Sequence, residues 1–233
     1  MRIDIWSDVV CPWCYIGKRR LEAALADFEH ADRVEVVWHS YLLDPGTPRD
    51  STESVAEHLG RKYGGGVEGG RRMIDQVEAT AAAEGLVFRL HQAVRANTVD
   101  AHRLLHLAHE DGPEAQGRLK EALLKAYFTD ARNVGDHVVL REVALEAGLD
   151  DGRVDAVLGS DRYADEVQAD IDQAHAYGAT GVPLFVVDGK YGIAGAQPAE
   201  TMANVVRRAW DAREPDLQMV GGDEVCGPDG CPA

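Results

Sequence analysis

The chain has 233 residues, 45% hydrophobic and 27% charged. That length allows one large domain or a small one carrying an insertion, and the composition excludes disorder, collagen and a disulfide scaffold for the whole. With 24 Lys and Arg against 40 Asp and Glu the formal charge is −16, a field that repels phosphate backbones and anionic lipid and argues against nucleic-acid and membrane partners.

Arg2 to Trp6 alternates weakly and runs through Ser7-Asp8-Val9-Val10 into Cys11, after which Ile16, Leu21, Ala24, Leu25 and Phe28 recur at helical spacing, predicting strand, short loop and helix. Acids at Asp4 and Asp8 interrupt the stretch that a secretory leader would keep apolar, and no window approaches the ~20 apolar residues of a membrane span, so the expected location is the cytoplasm. Val34 to Leu43 is a β-branched and aromatic run stopped by Asp44-Pro45-Gly46, which completes a β-α-β unit with parallel strands and a right-handed crossover.

From Ser51 to Gly178 the pattern is helical, divided by glycines into roughly six or seven helices. Its last stretch puts Tyr163, Val167, Ile171 and Ala174 on one stripe, with Ser160 expected as N-cap and Gly178 just past the C-terminus. Gly64 to Gly66 with Gly69-Gly70 has no phosphate-loop context and reads as a flexible connection. Leu184 to Val187, Asp188-Gly189 and Lys190 to Ile193 predict a hairpin. Pro198 is expected at the first position of a final helix, with Met202, Val205, Val206, Ala209 and Trp210 on one face, Arg207, Arg208 and Arg213 near its end, and Pro215 beyond. The element order implies an α/β protein, a thioredoxin-like fold with a large α-helical insertion. Residues 1–45 and 179–214 would form the thioredoxin-like domain, helix 160–178 would pack on its sheet, 46–178 would be the insertion, and 215–233 a flexible tail with a second cysteine pair.

Four cysteines in two local pairs, Cys11 with Cys14 and Cys226 with Cys231, are too few for a structural framework and suggest redox chemistry or metal. Cys11-Pro12-Trp13-Cys14 opens the first helix directly after a strand. Cys11 should therefore meet free backbone N–H groups and the positive end of the helix dipole, which favour a thiolate nucleophile. Cys14, one turn on, can attack a mixed disulfide on Cys11 and release the substrate thiol. Pro12 costs nothing in a first turn, and Trp13 offers aromatic surface beside the sulfur. A C-x-x-C between strand and helix is far more often redox than zinc-binding. Thr180-Gly181-Val182-Pro183 precedes a strand, so a cis Val182–Pro183 bond facing Cys11 is expected, leaving the Val182 backbone free to pair with an extended substrate.

These segments resemble the DsbA family of thiol-disulfide oxidoreductases, specifically its FrnE-like group. The likeness lies in Ser7 to Gly17, in Asn97-Thr98 with Ala101-His102-Arg103-Leu104, and in Gly178 to Asp188. It implies a catalytic pair at Cys11 and Cys14, a cis-proline at Pro183, an Asn97 near the site and no organic cofactor. Trp13 stands where the best-known periplasmic members have histidine, and the Cys226/Cys231 pair is additional. The expected function is a cytoplasmic dithiol-disulfide oxidoreductase or isomerase acting on a disulfide-containing protein or a small-molecule thiol, with Cys226 and Cys231, flanking a Gly-Pro-Asp-Gly turn, as an auxiliary redox pair. The runner-up is a glutathione-dependent isomerase or transferase of the 2-hydroxychromene-2-carboxylate isomerase or kappa type, which shares the fold but places serine at the Cys11 position.

Three further features weigh less. His102, His106 and His109 share a helix face, for which a surface flank is the expected reading rather than zinc. Asp8 either relays protons to the resolving sulfur or caps the loop, and Asn97 is expected as a helix N-cap. No metal is expected, the rival being a zinc-stabilised binding protein using all four cysteines.

Overall fold

The computed structural model describes residues 1–213. Strand β1 (Arg2–Ser7), helix α1 (Pro12–Ala26) and strand β2 (Glu35–Ser40) form the opening unit, with β1 and β2 parallel and in register from Arg2 opposite Glu35 to Ser7 opposite Ser40. Strands β3 (Leu184–Val187) and β4 (Tyr191–Ala194) form an antiparallel hairpin, and β3 pairs antiparallel with β1 to give the order β2-β1-β3-β4. Asp188 and Gly189 both have positive φ at the hairpin turn, which is the backbone Asp-Gly supplies most readily.

Between β2 and β3 run α2 (Val55–Tyr63), α3 (Gly66–Ala83), α4 (Val99–Glu110), α5 (Pro113–Phe128), α6 (His137–Glu146), α7 (Asp151–Leu158) and α8 (Ala164–Ala176); α9 (Ala199–Asp211) closes the described chain. Alternation along β1 sends Ile3 and Ile5 to one face, where Leu21 of α1, Phe28 just beyond that helix, and Met202 and Val206 of α9 cover them. Trp6 points to the other face, toward Val186 and Ala174 of α8. The remaining helices enclose their own core around Leu104, Leu107, Leu119, Leu123 and Phe128, and Tyr15 and Ile16 of α1 join it. Helix α1 is thus wedged between two cores, which fixes its N-terminus. The edge strand β2 is closed by Gln116, whose side-chain oxygen accepts from Trp38 N at 2.9 Å and whose amide donates to Trp38 O at 2.8 Å.

The structure corrects several local expectations. Strand β2 stops at Ser40 rather than Leu43, because Leu43 N donates instead to an Asp8 carboxylate oxygen at 2.8 Å. Helix α8 starts at Ala164 with Tyr163 in the left-handed region as N-cap, while Ser160 Oγ back-bonds to Ala156 O and accepts from Arg162 N. Pro198 is the N-cap of α9 and not its first helical residue, and Pro215 lies outside the described residues. The glycine cluster is no slack connection. A Cβ on Gly70 would lie 2.0 Å from Ala56 O and one on Gly60 1.9 Å from Gly66 O, so these glycines let α2 and α3 touch backbone to backbone.

Candidate active site

Helix α1 needs its first turn satisfied from outside, and the loop from β1 does this. Cys11 is the N-cap, with φ −89° and ψ 114°, its N–H donates to Asp8 O at 3.3 Å, and its carbonyl accepts from Cys14 N at 3.0 Å. Pro12 takes the first helical position, where a missing N–H loses nothing. Trp13 is 45% exposed, whereas Cys11 and Cys14 are buried at 3% and 1%.

The Val182–Pro183 bond is cis, and the Cys11 thiol donates to Val182 O at 3.6 Å. The approach of α1 to this loop depends on Gly17, where a Cβ would stand 3.2 Å from both the Pro183 ring and the Phe185 ring. Cys11, Pro12, Trp13 and Val182 together line the mouth of a cavity of about 480 Å³ that runs inward between α2, α3 and the loop before α4. Leu59, Met73, Val77 and Leu90 give it apolar walls, and Lys62, His58 and Arg95 lie on its polar side, with Arg95 paired to Asp44. Cys14 and Pro183 are not on the cavity surface, and Thr98, not Asn97, reaches it. Asn97 sits one residue outside the α4 cap, holding Thr47 O at 2.7 Å through its amide and accepting from Val99 N at 3.1 Å.

Beneath the sulfurs lies a polar cluster that sequence reading only partly anticipated. Asp8 is buried at 1% exposure, with His102 Nε2 3.3 Å from one carboxylate oxygen. Burial pushes Asp8 upward, but the His102 and Leu43 N–H contacts and nearby Lys120 outweigh it and hold the carboxyl below its ordinary value. Burial drives His102 down, so the imidazole is neutral and donates to Asp8, leaving its Nδ1 buried without a partner. Lys120 is wholly buried and donates to Ser7 O at 3.3 Å, with Trp38's ring centroid 5.4 Å away. Desolvation brings its ammonium down to about 8.

The two thiols titrate as a unit. Hydrogen bonding to Cys14 and burial push Cys11 well up. Burial also pushes Cys14 up, but the Cys11 hydrogen bond, Lys120 and the Ser7 hydroxyl bring it below the ordinary thiol value. Lys120 is thus among the groups that favour the charged form of Cys14. The His102 face departs from expectation, since His102 is buried at 0% rather than flanking the surface. Lys120 was missed; its signal is a lysine inside the α5 stripe of Gln116, Leu123 and Leu124, all buried. Cys226 and Cys231 lie outside the described residues, and among those described no group of three or more His, Cys, Asp or Glu is arranged to hold a metal.

Residues 2–207 match the family described as DSBA-like thioredoxin domain. The chain is similar to a crystal structure described as a probable DsbA oxidoreductase, SCO1869 of Streptomyces coelicolor, with 48% identity, TM-score 0.87, and 100% of this chain and 99% of that one covered. It is 26% identical over 193 residues to the protein YwbO of Bacillus subtilis, covering 80% of this chain and 86% of that protein. A 2-hydroxychromene-2-carboxylate isomerase structure shares the fold at 13% identity and TM-score 0.65, covering 92% of this chain and 100% of the other.

Proposed function

The chain belongs to the DSBA-like thioredoxin-domain family of thiol-disulfide oxidoreductases, and from that premise we propose that it is a cytoplasmic dithiol-disulfide oxidoreductase or isomerase in which Cys11 attacks and Cys14 resolves. The observation that carries this reading is the difference in access: Cys11 opens on the cavity beside the Val182 carbonyl, and Cys14 does not reach it. In the first step Cys11 Sγ, as thiolate, attacks one sulfur of a substrate disulfide. A Cys11–substrate bond forms, the substrate S–S bond breaks, and the other substrate sulfur leaves as thiolate. Cys14 Sγ then attacks Cys11 Sγ, forming the Cys11–Cys14 disulfide and releasing the second substrate thiolate. Substrate backbone pairs with Val182, and Pro12 and Trp13 supply the contact surface. Cys226 and Cys231 are proposed, on sequence alone, as an auxiliary pair that exchanges with this dithiol.

Insulin reduction and refolding of a scrambled disulfide protein, wild type against Cys11→Ser, test the reading. Wild type should accelerate at least one, and Cys11→Ser should fall to background. Wild-type turnover in Cys11→Ser would overturn it. The drug-sized cavity favours one second reading, a glutathione-dependent isomerase or transferase with glutathione as co-substrate. Isomerase turnover that survives Cys14→Ser would select it.

A further inference from the structure

We propose that the cavity beside Cys11 binds the carbon body of a low-molecular-weight thiol or disulfide, an apolar chain or ring ending in a carboxylate that Lys62 receives. The inference rests on the dithiol exchange argued above and names the substrate class of that same site. A disulfide on a protein surface would meet Cys11 at the mouth and would need no depth. Here a cavity of about 480 Å³ runs inward from that mouth, and Leu59, Met73, Val77 and Leu90 wall it with carbon. That is the size and lining of a small-ligand site. Apolar walls facing open space forgo both burial and dispersion contacts, so they favour an apolar occupant.

Most polar groups on the same surface are already engaged. Asp8 is held by His102 and Leu43 N–H, and Arg95 by Asp44 and Glu53. Tyr127 donates to Val94 O at 3.2 Å, and the Thr47 hydroxyl to Asp44 O at 2.9 Å. His58 lies 3.9 Å from Asp44 and 3.8 Å from Glu53. Lys62 is different. It is exposed, its ammonium lies 5.7 Å from the ring centroid of Tyr63, and among the described residues no carboxylate comes within ion-pair distance of it. Thr98, the N-cap residue of α4, is buried to 5% exposure, yet its side chain caps nothing and has no hydrogen-bond partner among the described residues. Its hydroxyl is not sealed off, so it opens on the cavity that the residue lines. In a chain of formal charge −16, an unpaired cation beside a carbon-lined pocket is a local place for an anion. An exposed ammonium and a buried hydroxyl on such a wall suit a ligand with an apolar body, an anionic end and few other polar groups. Glutathione, polar along its whole peptide backbone, would leave groups unpaired against those walls.

Dihydrolipoate, a dithiol on an apolar chain that ends in a carboxylate, serves as the probe. Against the oxidised protein one of its thiols, as thiolate, attacks Cys11 Sγ. The probe–Cys11 bond forms, the Cys11–Cys14 bond breaks, and Cys14 leaves as thiolate. The probe's other thiolate then attacks its own bonded sulfur, closing a ring disulfide and releasing Cys11 as thiolate. The probe is oxidised and the cysteine pair reduced, and the protons given up by the probe pass through water to the cysteines.

The test uses the full chain in its oxidised form and reads reduction of the Cys11–Cys14 disulfide in acid-quenched single turnovers. The reductants are dihydrolipoate, dihydrolipoamide, which has the chain without the charge, and dithiothreitol, which has neither. Dihydrolipoate should saturate, at a concentration about threefold below that of the amide, the scale of one exposed ion pair. Lys62→Ala should abolish that preference. Met73→Trp, which fills the pocket, should raise half-saturation for both lipoyl probes about tenfold or more, the scale on which an apolar pocket rejects a misfit, and so lower the rate ratio of dihydrolipoate to dithiothreitol. Lys62 is exposed, so its variant carries the test if the urea midpoint shows that Met73→Trp does not fold. Octanoate, with chain and carboxylate but no sulfur, should bind the wild type by calorimetry, compete with dihydrolipoate, and bind Lys62→Ala more weakly. Failure of dihydrolipoate to saturate, a preference over the amide that survives Lys62→Ala, a Met73→Trp loss shared equally by dithiothreitol, or glutathione binding where octanoate does not, overturns the inference. Octanoate binding to a protein that exchanges no disulfide would sink the functional reading instead and leave the site standing, since calorimetry is read without turnover.

Discussion

Cys11 and Cys14 differ by one helical turn, yet that turn separates a sulfur on the cavity wall from one that does not reach the cavity. Access assigns the attack to Cys11 and leaves the resolution to Cys14, and the two roles should fail differently. In Cys14→Ser the first step can proceed but the mixed disulfide has no internal exit. Incubation with oxidised glutathione or scrambled substrate should leave a covalent adduct on Cys11, seen by intact mass spectrometry, and multiple turnover should drop to near background. No adduct on Cys11, or undiminished turnover, contradicts the assignment. Trp13, exposed at the cavity mouth, has no such obligatory part. Trp13→Ala should raise KM for a protein substrate several-fold and leave folding unchanged, as checked by the urea midpoint.

Helix α8 is held to the sheet by a polar latch. Asp170, on its buried stripe, receives His39 Nδ1 at 2.7 Å, Ser40 N at 2.7 Å and His106 Nε2 at 3.1 Å, while His39 Nε2 meets Asp4 at 2.7 Å and Trp6 stacks on the ring at 4.4 Å. Burial works against the charged His39, but the hydrogen bonds and charges of Asp170 and Asp4 outweigh it and raise its pKa. The same contacts lower Asp170 and Asp4 against their own burial. With His39 raised on folding, its contribution is complete below about pH 6.5 and fades as pH climbs through the elevated folded value. The two acids contribute above about pH 4 and lose it as pH falls through their depressed values. The latch should therefore be strongest in the window between. Asp170→Asn should cost roughly 3 kcal/mol near pH 6, as expected for several hydrogen bonds to one buried charge, and flatten the alkaline limb of a plot of melting temperature against pH. An unchanged alkaline limb would mean that His39 is not the titrating group. At the α2–α3 joint, Gly70→Ala forces a Cβ onto Ala56 O and should cost about 2 kcal/mol or more, read from the urea midpoint. Both helices carry cavity walls, Leu59 and Lys62 on one and Met73 and Val77 on the other, so KM should rise with it.

Across the whole molecule, the four-stranded sheet holds the cysteine helix and the cis-proline loop, and the helices between β2 and β3 supply the cavity, the buried lysine and the latch. The sheet also sets where the tail departs. Arg213 lies 3.5 Å from Asp188, beside the start of β1, whereas Cys11 follows the end of that strand. The strand's six residues alone span roughly 17 to 20 Å, a distance the 13 residues from Arg213 to Cys226 can bridge if extended. Truncation after Pro215 separates the roles considered for the second pair. A relay predicts slower turnover with an unchanged fold, a four-cysteine zinc site predicts stoichiometric zinc lost together with stability, and a passive tail predicts no change.

What the sequence determined by itself was whatever depends on short spacing. The C-P-W-C turn, the β-α-β order, the Asp-Gly hairpin and the Val182–Pro183 strand entry are fixed within a few residues by backbone geometry, so the sheet and the two sulfurs could be read from neighbours along the chain. Tertiary structure decided what depends on residues far apart. Lys120 and Ser7 are separated by 113 positions, Asp8 and His102 by 94 and His39 and Asp170 by 131. A lysine, a histidine or an aspartate in a helix looks like a solvated side chain until packing removes water and puts a partner beside it. The titration of the dithiol belongs to that second class, since burial and the charges facing it exist only once the helices have closed on the sheet.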